Sequence, residues 1–434
     1  MPFTKAPTGD DRIAPMRKLT WVYGLAALLL LAAAAGLIYR LPPVYNRLSW
    51  RVDFALTSLR TKFDPIEPLP TALPALPAPE ILAVEQASPT PGATATRQPT
   101  PSPELPPTPT LTPTALPAAI ALTPPKWEKQ DINNCGPAAL TMYLRYYGWE
   151  GDQTTITQVI KPYREDRNVN VEELAYYVRT QAGWLNAQYR VAGDLELLKQ
   201  LIAAGLPVMI EESFYFDDPY WTGDDLWAAH YQLLTGYDEA SQTFIGQDSF
   251  YGPDLRISYD KLNKDWQAFN RLYILIYPPD REETVQQILG ERWDEDFSRQ
   301  LGLETAQTET ETDPKNAFAW FNLGSNLTYF ERYIEATDAF DKARELGLPQ
   351  RMLRYQFSPF IAYFHTGQLD DLTALADYAL KVTPNSEEAL LWHGWAMYRR
   401  GDINAAVKDF QQALIENPNY QDAQYALDFA HENP

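Results

Sequence analysis

The sequence predicts a multidomain chain: an α+β domain over residues 126–280 and an all-α array of repeats over 313–434, preceded by one transmembrane helix and a disordered Pro/Thr-rich linker. Three observations carry this. Residues 19–39 are apolar and uncharged, residues 126–280 alternate short helical and strand-like patterns, and from about 313 the sequence repeats with a period near 34. Of 434 residues 45% are hydrophobic and 13% aromatic, ample for packed cores. The formal net charge of −21 argues against nucleic acid and anionic lipid as main partners, because both are repelled; basic peptides and cations remain compatible.

Residues 1–18 form an amino-terminal tail. The run "LTWVYGLAALLLLAAAAGLIY" over 19–39 has the length of a bilayer crossing and predicts a membrane span or uncleaved signal anchor. A cleaved signal peptide is the rival reading, since "AAAAG" offers small residues, but its apolar core is usually shorter. Arg17 and Lys18 favour a cytoplasmic amino terminus, opposed by Arg40, Arg47 and Arg51 after the run. The expectation is a single-pass cell-membrane protein with its remaining domains extracytoplasmic. No cysteine directly follows the run, which excludes a lipoprotein anchor. Within 40–63, Tyr45, Leu48, Val52, Ala55, Leu56 and Leu59 recur at near-helical spacing among arginines and predict a juxtamembrane amphipathic helix. Residues 64–125 are rich in Pro, Thr and Ala and read as an extended, disordered spacer.

The domain over 126–280 holds the single cysteine of the chain, Cys135, and only one of its four histidines, His230. One cysteine cannot form an intramolecular disulfide. A thiolate is a nucleophile, and a neighbouring imidazole both lowers its pKa and later protonates a leaving group. "NNCGPAALTMYLRYYG" predicts a turn and then a helix, placing Cys135 at a helix amino terminus that favours the thiolate. "HYQLLTGYD" and "TFIGQDSFYGPD" read as adjacent strands joined at "DEASQ", a hairpin that brings Asp248 beside His230 to orient the imidazole. Gln130, five residues before the thiol, can offer an amide that holds an oxyanion together with the Cys135 backbone N–H. The bland alternatives are a structural cysteine, a capping glutamine and a turn aspartate.

These strings, with "GLPVMI" between them and in the same order, resemble the papain-like cysteine peptidases related to the bacteriocin-processing, double-glycine-leader peptidases. The resemblance spans about 150 residues and five motifs. It implies a papain-like fold in which Gln130, Cys135, His230 and Asp248 match the oxyanion glutamine, nucleophile, general base and orienting acid. Ala229 stands where many relatives carry glycine. The remaining pattern fits: "NVNVEELAYYVRTQAGW" as a capped helix, "LNAQYRV" as a strand, "GDLELLKQLIAAGLPVMIEE" as helix, turn and buried strand, "SYDKLNKDW" as a short helix and "RLYILIY" as the last strand. Between the third strand and His230, "FYFDDPYWTGDDLWAA" follows Glu211 and Glu212 with Asp217, Asp218, Asp224 and Asp225 among aromatics. It is expected to select basic or aromatic peptides or to bind calcium, or else to be a solvated acidic loop. No zinc-type spacing, P-loop or dinucleotide fingerprint occurs, so no cofactor and no resident metal is expected.

Residues 281–312 read as a helical connector. Beyond it three segments align, closed by Pro349, Pro384 and Pro418, and resemble tetratricopeptide repeats. Trp320, Leu323, Gly324, Ala336, Phe340 and Ala343 match that pattern in the first copy, and Gly394, Ala406, Phe410, Ala413 and Pro418 in the third. The middle copy carries Phe360 where the glycine belongs. "YQDAQYALDFA" reads as a capping helix. Such repeats stack into a groove for a peptide or protein partner, or else brace the preceding domain. The expected whole is a membrane-anchored cysteine peptidase acting through Cys135, His230 and Asp248 on a peptide or protein substrate, with repeats that recruit. A catalytically silent peptide-binding scaffold and a thiol acyltransferase or transpeptidase are the alternatives.

Overall fold

Two helices open the chain, and the computed structural model describes residues 14–73, 115–161 and 169–433. Contacts divide these into two units, residues up to 66 with 219–223, and residues 67–218 with 224–434. In the first unit, α1 (Ala14–Tyr39) contains the apolar run and α2 (Pro42–Phe63) the predicted amphipathic segment. Leu25, Leu28 to Leu31 and Leu37 on α1, and Leu48, Val52, Leu56 and Leu59 on α2, are exposed. Among the described residues no helix is long and apolar enough to cross a membrane. The predicted span runs from 19 to 39, and the side chains of residues 14–22 and of Tyr45 lie outside the described residues.

In the second unit the predicted α+β domain forms around a seven-stranded sheet. Its first strand, β1 (Ala119–Ala121), lies inside the stretch expected to be spacer and pairs antiparallel with residues 236–238. A Cβ at Gly236 would stand 2.6 Å from the Ile120 carbonyl oxygen, so glycine is what lets β1 approach. Helices α3 (Cys135–Tyr146), α4 (Gln153–Ile160) and α5 (Val171–Gln181) precede β2 (Asn186–Arg190), α6 (Leu195–Ala203), β3 (Val208–Tyr215), β4 (Trp227–Asp238), β5 (Thr243–Asp248) and β6 (Gly252–Ser258). Helix α7 (Tyr259–Trp266) and β7 (Tyr273–Tyr277) close the domain. The strand order is β2-β7-β3-β4-β5-β6, with β1 on β4. β3 is buried except at its last residue and β4 except at Asp238, so both strands are covered on both faces and bury polar side chains, Glu211, Glu212, His230 and Gln232 among them.

Helix α3 is buried almost all round: Ala138, Ala139, Leu140, Met142, Tyr143 and Leu144 are fully inaccessible. Each large apolar side chain among them contributes about 1.5–3 kcal/mol by leaving water. Tyr143 fixes the helix against the sheet. Its hydroxyl donates to the Pro207 carbonyl and accepts from the Ile276 amide at 2.9 Å. The helix that begins at Cys135 is thereby pinned to the residue before β3 and to β7.

The carboxy-terminal region is helical. After α8 (Glu282–Leu289) and α9 (Glu295–Thr312) come three antiparallel pairs: α10 (Ala317–Tyr329) with α11 (Tyr333–Leu346), α12 (Ser358–Thr366) with α13 (Leu369–Val382), and α14 (Glu387–Arg399) with α15 (Ile403–Glu416). Helix α16 (Gln421–Glu432) follows. Gly324 and Gly394 sit where a Cβ would come within 2.6 and 2.5 Å of the Phe340 and Phe410 rings, the small-against-large contact read from the sequence. Residues 347–357 leave the helical pattern, and four of them reach the α+β domain. Gln350 and Arg351 meet Asp225 and Asp224, Tyr355 packs edge-on against Trp227 at 5.9 Å, and Gln356 Nε2 donates to the Ala268 carbonyl at 2.9 Å.

Candidate active site

Position begins with the loop in front of the thiol. Asn133 adopts φ 53°, a left-handed conformation that asparagine tolerates. Gln153 at the start of α4 holds the rest: its Oε1 accepts from the Asp131 amide at 2.8 Å and from Asn134 Nδ2 at 2.6 Å, and its Nε2 donates to the Lys129 carbonyl at 2.7 Å. Asn134 provides no side-chain cap to α3. The backbone amide of Gly136 instead serves the sulfur of Cys135, as does that of Tyr231 on β4. Burial works to raise the thiol pKa, but the hydrogen bond from His230, its charge and these two amides outweigh it, and the pKa lies below its ordinary value.

His230 is buried in β4, and its Nε2 lies 3.1 Å from Oδ2 of Asp248 at the end of β5. That leaves Nδ1 for the thiol. The hairpin read from the sequence forms, with β4 and β5 antiparallel and a register shift between Leu234 and Gly236. Asp248 is fully occupied. Oδ1 accepts from the Phe250 and Tyr251 amides at 2.7 Å each, while Gln232 Nε2 donates to Oδ2 at 3.3 Å. Burial raises the Asp248 pKa, yet the His230 contact and the two amides bring it below the usual carboxylate value. For His230, burial works downward, but the hydrogen bonds to Asp248 and Cys135 dominate and push the pKa up to about 10. A thiolate beside an imidazolium is the state these shifts favour.

Gln130 lines the same pocket as Cys135 and His230. Its backbone N–H donates to the Ser249 carbonyl at 2.9 Å, and the Ser249 hydroxyl donates to the side-chain Oε1 of Gln130 at 2.8 Å. With Oε1 held, the Nε2 end is fixed in orientation. Gln130→Ala is expected to lower kcat by roughly 10²–10³-fold, the scale of one lost oxyanion donor, with the pH profile of the rate unchanged. Ser249→Ala, which frees Gln130 without removing it, should give a smaller loss in the same assay. A Gln130→Ala enzyme with undiminished kcat would remove the oxyanion role.

The structure thus brings Gln130, Cys135, His230 and Asp248 together. Sequence reasoning missed Gln153, Ser249 and Gln232, whose side-chain roles leave no spacing signature. It also missed two lining groups. Tyr355 comes from the helical region. Glu211 comes from β3, paired across the strands with Tyr231, and its burial pushes the carboxyl well above its usual range with the Tyr231 hydroxyl opposing. Glu211 and Glu212 are therefore buried strand residues, not part of a solvated loop. Two of the loop's four aspartates are taken within the protein. Asp224 is turned onto Arg351, and Asp225 Oδ2 accepts from the Gln350 amide at 2.7 Å. Among the described residues no cluster of His, Cys, Asp and Glu could hold a metal ion.

The family model described as Peptidase_C39 like family matches residues 121–274. Among solved structures, a C39-like peptidase from Bacillus anthracis is similar at 17% identity, covering 36% of this chain and 96% of that one, with a TM-score of 0.30. The peptidase domain of Streptococcus ComA, described as a bi-functional ABC transporter involved in quorum sensing, is similar at 17% identity over 35% and 96%, with a TM-score of 0.27. YrrB, described as a TPR protein with an unusual peptide-binding site, is similar at 19% identity over 34% and 72%, with a TM-score of 0.28. No curated protein matches the chain. Over residues 121–274 the chain is similar to the C39-like cysteine peptidases.

Proposed function

We propose that this domain hydrolyses peptide bonds through Cys135, His230 and Asp248, with Gln130 at the oxyanion. The observation that carries the reading is geometric: Cys135 and His230 face one pocket with Gln130, and buried His230 is held 3.1 Å from Asp248, an arrangement that favours thiolate and imidazolium. The Cys135 thiolate attacks the scissile carbonyl carbon, and the carbonyl electron pair moves onto oxygen, facing the Gln130 amide and the Cys135 backbone N–H. The His230 imidazolium gives its proton to the departing amine as the C–N bond breaks, leaving a thioester on Cys135. Neutral His230 then takes a proton from water, hydroxide adds to the thioester, the C–S bond breaks, and the acid product leaves with thiolate and imidazolium restored. Asp248 holds the ring by Nε2 throughout.

The chain acts from a membrane. The apolar run over 19–39 is the anchor, supported by a helix whose described leucines face outward on every side and need lipid or a partner to cover them. The peptidase domain and the tetratricopeptide-like repeats then lie on the extracytoplasmic side, and the repeats recruit a peptide or protein.

One experiment tests the enzyme reading. The full chain, purified in detergent, is incubated with a mixture of unlabelled peptides with and without added hydroxylamine, and products are identified by mass spectrometry. The expected outcome is new carboxyl termini, partly converted to hydroxamates, and none with Cys135→Ala. Capture of every acyl group by added amine, with no free acid, would make the domain an acyltransferase. No product from the folded wild-type chain on any peptide overturns the proposal.

A further inference from the structure

The stretch after α2 does not behave as a spacer. Residues 67–73, "EPLPTAL", run without regular structure against the second helices of the first two pairs. Three main-chain carbonyls and one amide of the stretch are taken by side chains. Tyr378 on α13 donates from its hydroxyl to the Glu67 carbonyl at 2.9 Å. Arg344, in the last turn of α11, donates from Nε to the Pro70 carbonyl and from a terminal nitrogen to the Thr71 carbonyl, both at 2.8 Å. The Leu73 amide donates to Asp371 Oδ1 at 3.1 Å. Leu69 between them is 6% exposed.

The reading groups are themselves built in. Arg344 is 2% exposed, and its other terminal nitrogen donates to Asp371 Oδ1 and to the Tyr363 hydroxyl, each at 2.8 Å. Its guanidinium also stands over the Tyr363 ring at 5.3 Å. A buried arginine spends its donors where partners are fixed, and here two of them point at consecutive carbonyls. The segment suits that geometry. Pro68 and Pro70 have no N–H to satisfy, hold φ near the extended value, and leave carbonyls free to accept, so ordering them costs little entropy.

We propose that Arg344, Asp371 and Tyr378 form a recognition site for an extended, proline-containing peptide, and that its resident occupant is the chain's own segment 67–73. Recruitment of a partner at this site is then a displacement. Covalent connection gives the segment an effective concentration on the order of millimolar, so a partner peptide competes only when it binds more tightly than that or when the segment is pulled away. Composition alone had suggested a spacer over 64–125, and residues 67–73 of it are instead held by side chains of the helical region. The proposal stands independently of whether Cys135 turns over peptide.

The test uses the full chain in detergent and a fluorescein-labelled synthetic peptide of residues 64–75, read by anisotropy. Wild type should bind the peptide weakly. A Leu69→Asp, Pro70→Gly variant, which spoils the resident segment, should bind it at least tenfold more tightly. Adding Tyr378→Phe to that variant should reverse the gain while its circular-dichroism melt stays that of the parent, and Asp371→Asn should reverse it with a lower melt, because Arg344 loses its charged partner. Equal binding by wild type and the spoiled variant would show that no resident segment occupies the site. Absence of binding by the spoiled variant, or binding indifferent to both Tyr378→Phe and Asp371→Asn, would overturn the site itself.

Discussion

His230→Ala is expected to lower peptide turnover by roughly 10²–10⁴-fold and to move alkylation of Cys135 toward alkaline pH. In the folded chain burial alone drives the thiol pKa up, and the hydrogen bond and charge of His230 head the causes that bring it below its ordinary value. Alanine leaves the burial and removes the two largest opposing causes. The amides of Tyr231 and Gly136 remain, so helix α3 still favours the thiolate, but less than before. Iodoacetamide labelling across pH should therefore persist below the free-thiol pKa of about 8.5 in wild type. In the variant it should follow a later curve. Asp248→Asn tests the other end of the pair. The His230 pKa is raised to about 10, and the hydrogen bond to Asp248 is the first of the causes that raise it. The imidazolium, and with it the ion pair, is lost as pH rises through that value, so weakening the raising group should bring the alkaline limb of kcat to lower pH. The acid limb belongs to the thiol and is lost as pH falls through its depressed pKa. Identical labelling curves in wild type and His230→Ala would dismiss the activated pair.

How much of this was legible depended on the range of the interaction. The Asn-Cys-Gly-Pro turn, the helix behind it and the hairpin that carries His230 to Asp248 are local patterns, so periodicity and turn chemistry expose them. The repeat signature worked for the same reason: Gly324 and Gly394 mark contacts within a pair. What stayed hidden are contacts that cross long stretches of sequence. Gln153 bracing the thiol loop, Ser249 orienting Gln130 and Tyr355 lining the pocket have no local pattern, since each is an ordinary residue in an ordinary place. Residues 67–73 misled in the opposite direction. Proline-rich composition reads as disorder because it cannot bury a core, yet the same missing N–H groups and fixed φ make it a good ligand for Arg344 and Tyr378. The aspartates before Trp227 looked like a cation site for want of any visible cation. Theirs is Arg351, more than a hundred residues downstream.

Arg351→Ala should therefore be felt in both parts of the second unit. The Arg351 guanidinium meets both oxygens of Asp224 at 2.6 Å, with side-chain exposures of 1% and 0%. It also donates to the Trp227 carbonyl at 3.1 Å and lies over the Phe216 ring at 5.2 Å. Removing one partner of a buried pair costs about 3–5 kcal/mol, mainly because the other charge stays behind in a low-dielectric site, and a fall in Tm of roughly 5–15 °C should follow. An Asp224→Leu, Arg351→Met double variant removes both charges and should recover much of that loss, a non-additivity that separates the ion pair from simple packing. Activity should fall as well. Trp227 lies on β4 three residues before His230 and packs on Tyr355, and Tyr355 lines the pocket itself. A loosened junction misplaces the wall of the cleft without touching the thiol, so KM should rise more than kcat falls, and the labelling curve of Cys135 should hold. A variant that melts within about 2 °C of wild type and cleaves peptides with unchanged KM would mean that the repeats are carried by the peptidase domain without supporting it. The expected result makes them a structural part of its substrate cleft, in addition to any partner they bind.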